Sequence, residues 1–77
     1  MGVAGHLTPI AGQVYERINP LVHMYDFTTA SHLLILEINE NGWKDTCVKK
    51  FIDQDGTVHI TPDGFYFALL KSEWRQI

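Results

Sequence analysis

Four histidines, one cysteine and an Asp-Gln-Asp-Gly tract are the residue types in this 77-residue chain that could carry metal or nucleophilic chemistry. Structural zinc sites use close pairs of ligands, because one turn must present both donors to the ion. His6, His23, His32 and His59 are scattered, the nearest two (His23 and His32) nine positions apart, and Cys47 has no cysteine neighbour. No metal and no other cofactor is therefore expected. Asp53-Gln54-Asp55-Gly56 begins like a calcium loop but lacks the third acidic position, and Pro62 stands where the bidentate glutamate belongs. It reads as a turn. Cys47 with His59, or His23 with Asp26, could be drawn as a nucleophile and its base. No nucleophile-elbow, phosphate-loop or dinucleotide motif accompanies them, and so short a chain has little depth for a pocket. The expectation is a protein that is not an enzyme.

The remaining groups with chemistry are cationic and aromatic. Residues 44–50 form the most basic window, with Lys44, Lys49 and Lys50 against Asp45. Phe65-Tyr66-Phe67, followed by Trp74, forms the most aromatic one. As a strand the aromatic segment is apolar on both faces, and as a helix it is apolar nearly all round. Either arrangement leaves more apolar surface than one small core needs, so Phe65, Tyr66, Phe67 and Trp74 are candidate interface residues of a homodimer or a partner complex.

The elements that position these groups follow from periodicity and turn chemistry. Thr8 and Pro9 suit a helix start over residues 9–18, with Ile10, Val14, Tyr15 and Ile18 on one face and Asn19-Pro20 as the stop. A second helix is expected over residues 29–41, carrying Ala30, Leu33, Leu34, Leu36 and Ile38, with Gly42 just past its end. A rival reading makes Asn41-Gly42 a hairpin turn joining strands 33–39 and 43–49. Helix is preferred because Cys47, Val48, Phe51 and Ile52 gather on one face of a 3.6-residue period, predicting a third helix over residues 45–53 capped by Asp45.

Beyond Asp55-Gly56, Thr57–Thr61 alternates and is β-branched, which suits a strand. Thr61-Pro62-Asp63-Gly64 can close a hairpin onto residues 65–67. The competing reading starts a helix at Pro62 and runs it over residues 63–74; Gly64 and three successive aromatics weigh against it. The expected fold is α+β, three short helices followed by a β-hairpin, in one domain over residues 1–77 with residues 1–7 as a mobile arm.

Composition agrees with a globular chain, 45% hydrophobic and 19% charged. No apolar run approaches the length of a membrane span; the longest, Leu33 to Leu36, has four residues. A secretory signal and a myristoylation site are not expected, since the charged and apolar regions of the first are absent and His6 stands where the second wants Ser or Thr. A cytoplasmic protein fits this usage. Net charge is −3, from six basic and nine acidic residues, which argues against a free-standing nucleic-acid binder because phosphate neutralisation drives such affinity.

Residues 48–70, VKKFIDQDGTVHITPDGFYFALL, resemble the end of a winged helix-turn-helix domain, in which a recognition helix runs into a wing and a phrase of the form I-T-x-x-G. Ile60-Thr61-Pro62-Asp63-Gly64 matches that phrase. The resemblance covers about a third of the chain and implies that residues 9–18 and 29–41 are the first two helices and residues 45–53 the recognition helix. Lys44, Lys49 and Lys50 then become DNA-contacting candidates by position. This chain departs from such domains in its acidity and in having no arginine on that helix. Two functions are carried forward: a dimeric winged-helix-like transcriptional regulator on duplex DNA, and an acidic protein-binding module, a small inhibitor or adaptor of the kind mobile elements and phages encode. The environment of Lys49 and Lys50 separates them: uncompensated lysines favour DNA, carboxylate-paired ones do not.

Overall fold

The computed structural model describes residues 5–19, 27–39 and 47–77 and has no helix among them. Its strands are β1 (Val14–Arg17), β2 (His32–Ile38), β3 (Cys47–Asp53), β4 (Val58–Ile60), β5 (Phe67–Ala68) and β6 (Trp74–Gln76). All pair antiparallel in the order β4-β3-β2-β1-β6, and β5 lies beyond β4 on the same edge of β3. Three helices plus a hairpin is thus replaced by one all-β sheet.

The helical period over residues 45–53 is produced by bulges. Ile35 pairs with Phe51, Glu37 with Lys50 and Ile38 with Val48, so Leu36 is an extra residue in β2 and Lys49 an extra residue in β3. Each extra residue reverses the alternation of faces beyond it. Val48 and Phe51, three positions apart, are consequently both fully buried. In β2 the core-facing series is Leu33 and Ile35, with Ile38 packed against the same cluster. Spacings of three mimic one turn of helix, and that is why residues 29–41 and 45–53 read as helical. The rival reading, strands 33–39 and 43–49, is right that the chain pairs antiparallel here, but the second strand is Cys47–Asp53 and Asn39 N donates to Cys47 O; its proposed turn at Asn41-Gly42 lies outside the described residues.

Residues 9–18 fail as a helix for another reason. Ile10, Val14 and Ile18 are exposed by 51%, 36% and 45%, and only Tyr15 of the expected apolar face is buried. The backbone turns at Gly12, whose φ is +89°, and then enters β1. Gly12 N donates to Ile35 O, which starts the β1–β2 pairing.

The core gathers Tyr15, Leu33, Ile35, Val48, Phe51 and Leu69 on the sheet's inner face. Burying each of the larger aliphatic and aromatic side chains contributes about 1.5–3 kcal/mol, so this face holds the fold together. From β5 on the β3 edge, the chain runs through Leu69 and a tight turn, where Glu73 N and Trp74 N both donate to Leu70 O, into β6 on the β1 edge. One ten-residue stretch, 67–76, therefore joins the two edges of the sheet and curls it. Gly5 and Leu7, in the segment expected to be an arm, are hydrogen-bonded to Lys71 and Leu69.

Candidate protein-interaction site

The β3–β4 hairpin is set by local chemistry. Gly56 N donates to Asp53 O, Gly56 takes φ +82°, and Asp53 N donates to Thr57 O, a three-residue loop closed by a left-handed glycine. Asp53 Oδ1 accepts from the amides of Asp55 (2.8 Å) and Thr57 (3.0 Å), as short polar side chains do in turns. The second oxygen accepts from His59 Nε2 at 2.7 Å.

Beyond β4 the chain turns at Thr61, which is buried. Its Oγ1 donates to Val48 O at 2.9 Å and its amide to Lys49 O at 2.8 Å, which fixes the chain against the bulge in β3. Phe65 N then donates to Pro62 O at 3.1 Å with Gly64 at φ +87°, the pattern of a type II turn. The sequence expects a turn over Thr61–Gly64; the hydrogen-bonded turn forms one residue later, over Pro62–Phe65, with Gly64 supplying the positive φ. The chain beyond that turn is not a hairpin return: β5 begins at Phe67 and pairs with Cys47 and Val48 of β3, not with β4.

A shallow cleft of about 240 Å³ lies on this turn, between Asn39, Lys49, Asp63 and Tyr66. The bulge aims Lys49 into it. Lys49 Nζ donates to Thr61 O and to Asp63 Oδ1, each at 3.0 Å. Asp63 is fully exposed, yet the hydrogen bond from Lys49 and then its charge hold the carboxyl below its ordinary value against a small opposing desolvation. Phe65 and Tyr66 are 42% and 45% exposed beside the cleft. Phe65 is steadied by the Phe27 ring, 5.3 Å away between centroids.

The interface candidates therefore divide. Phe65 and Tyr66 are at the surface; Phe67 and Trp74 are in the core. Phe67 packs on Phe27 and Phe51 at 5.3 and 5.6 Å. The Arg17 guanidinium lies 4.2 Å from the Trp74 ring centroid and donates to Ala30 O and Thr28 O. Trp74 thus supports a structural clamp, which local sequence had no means of indicating.

The DNA candidates fare differently. Lys50 Nζ lies 3.8 Å from Glu37 on the outer face of the sheet, and Lys49 is taken by Asp63. Lys44 lies outside the described residues. The segment expected to be a recognition helix, in its described part, is the strand β3.

Among the described residues no cluster of three or more His, Cys, Asp or Glu side chains is placed to hold a metal ion. Cys47 is buried at the β5 end of β3, whereas His59 sits opposite Phe51 in the same strand, so these two do not form a nucleophile–base pair. His23 and Asp26 lie outside the described residues. No helix among the described residues is long and apolar enough to cross a membrane. Comparisons with protein-family models, curated proteins and solved structures found no match.

Proposed function

We propose that this chain is a small non-catalytic protein-binding module that engages a partner through the cleft beside Phe65 and Tyr66. One observation carries the reading: two adjacent aromatic side chains stay nearly half exposed at a hydrogen-bonded turn, while Phe67 and Trp74 close to them in sequence are buried. Aromatic side chains held in place supply large contact area at low entropic cost, which is why they dominate protein interfaces. The electrostatics point the same way. Lys49 and Lys50 are each compensated by a carboxylate, and the chain carries a net charge of −3.

The test is selection of a random-peptide display library on the immobilised protein, with a Phe65→Ser/Tyr66→Ser variant of matched thermal stability beside it. Enriched peptides that bind the wild type and not the variant are expected. Enrichment indifferent to the variant overturns the role of this surface. So does salt-dependent binding of a random DNA duplex that is lost in Lys49→Ala/Lys50→Ala, which restores the nucleic-acid reading.

A further inference from the structure

The terminal strand β4 has one edge on β3 and no partner strand on the other among the described residues. Its register says which groups face outward. Asp53 N donates to Thr57 O and Thr61 N to Lys49 O, and His59 is opposite Phe51, so the odd-numbered residues bond to β3. In an antiparallel ladder the alternate residues then point away. The N–H and C=O of Val58 and of Ile60 are thus presented along the open edge. Natural edges are blunted by shortness, lysine, proline or a bulge; β4 is short, at three residues, but holds none of the other three. Its outward side chains are apolar, Val58 exposed by 49% and Ile60 by 61%.

The outer face of the sheet leads to this edge. Val14 is opposite Leu34, Leu34 opposite Ile52, and Ile52 opposite Val58, an apolar row across β1, β2, β3 and β4 that ends at the open strand. On the chain to either side of β4 stand exposed carboxylates, Asp55 before it and, after it, Asp63, which binds Lys49 through Oδ1 and turns its other oxygen to solvent. Asp63 also lines the cleft, so the edge continues into that site.

We propose that β4 accepts an extended segment of a partner protein as an added strand, one with apolar residues in alternation and basic residues at its ends. Pairing with Val58 and Ile60 satisfies the backbone, the apolar side chains prolong the outer row, and the basic ends meet Asp55 and Asp63. A second copy of this chain fits less well. A twofold through His59 sets Val58 against Ile60 of the other copy, but it also sets Asp55 beside the Asp63–Lys49 pair, so the second copy meets Asp55 with no basic group that is not already ion-paired. The proposal rests on the protein-binding reading and names the partner's chemistry and its mode of docking.

The experiment is an NMR titration of the isotope-labelled protein with acetyl-Lys-Val-Thr-Val-Thr-Lys-amide. Controls are the same peptide with glutamate ends and the same peptide N-methylated at alternate residues. Expected are amide shifts concentrated at Val58 and Ile60, no comparable shifts with either control, and a dissociation constant raised roughly tenfold in Asp55→Asn/Asp63→Asn and in Ile60→Lys. Each variant's dispersed spectrum reports that it is folded. Equal binding of the glutamate-ended or N-methylated peptide overturns the proposal, as does no binding of the lysine-ended one. Val58 and Ile60 shifts that instead track protein concentration without peptide overturn it in favour of self-association. Library-selected peptides that shift Phe65 and Tyr66 but leave Val58 and Ile60 unmoved sink the edge and spare the protein-binding reading. Selection that yields no peptide at all sinks both.

Discussion

His59 lies flat on Phe51, with ring centroids 4.8 Å apart and planes 13° from parallel, while its Nε2 is 2.7 Å from Asp53 Oδ2. One side chain of the short strand β4 thereby grips both the core and the turn carboxylate of β3. The contact holds the proposed docking edge in place, and the first prediction concerns its charge.

The hydrogen bond from His59, followed by those from the Thr57 and Asp55 amides and by the His59 charge, holds the Asp53 carboxyl below its ordinary value of 3.8 against partial desolvation. A carboxyl lowered in the folded state stabilises the fold above its ordinary value, and that stabilisation is lost as pH falls through the lowered one. Melting temperature should therefore decline as pH drops below about 4. Asp53→Asn, melted across the same range, should show a shallower acid limb; an unchanged limb would mean that other groups set it.

Phe51 is fully buried and touches three other aromatic rings, those of Phe27, His59 and Phe67. Phe51→Ala should cost about 3–5 kcal/mol, since the cavity adds to the lost transfer energy. That is a large share of the roughly 4–12 kcal/mol available to a domain of this size. Urea denaturation followed by circular dichroism should find the midpoint of this variant moved to much lower urea, with Phe51→Leu in between.

Thr61→Val keeps the shape of a residue that is 1% exposed and removes the hydroxyl bonded to Val48 O. Losing that hydrogen bond, with Val48 still paired to Phe67 in the ladder, should cost about 0.5–1.5 kcal/mol in the same denaturation experiment. Thr61→Ser, which keeps the donor, should lose less.

Two glycines make a controlled pair. A Cβ on either Gly64 or Gly5 would meet nothing within 4 Å, but only Gly64 has a positive φ, +87°. Gly64→Ala should cost about 1–2 kcal/mol through backbone strain alone. It should also weaken peptide binding by disturbing the turn that carries Phe65 and Tyr66. Gly5→Ala should leave both melting temperature and binding at wild-type values.

The turns were legible in the sequence because their chemistry is local. Asp55-Gly56 and Pro62-Asp63-Gly64 need only a carboxylate, a proline and two left-handed glycines within a few residues, and both turn where the residues indicate. Thr57–Thr61 likewise announces β4 through its alternation. Exposed Phe65 and Tyr66 were visible as candidates, but nothing in three consecutive aromatics says which one turns inward.

What the sequence by itself determined is therefore the punctuation: where the chain bends, that it is globular and acidic, and which side chains are available for contact. Only the tertiary structure decided that residues 32–38 and 47–53 are partners rather than helices. The physical reason is the pair of bulges at Leu36 and Lys49, which put Val48 and Phe51 on one face at a helical spacing. A register shift exists only between two strands, so neither segment alone can report it. The same shift turned Lys49 toward Asp63 and left Lys50 to Glu37, so both lysines lie beside carboxylates. Burial of Trp74 beneath Arg17 was decided in the same way, by a pairing between β1 and β6 that the chain makes only once the sheet has curled.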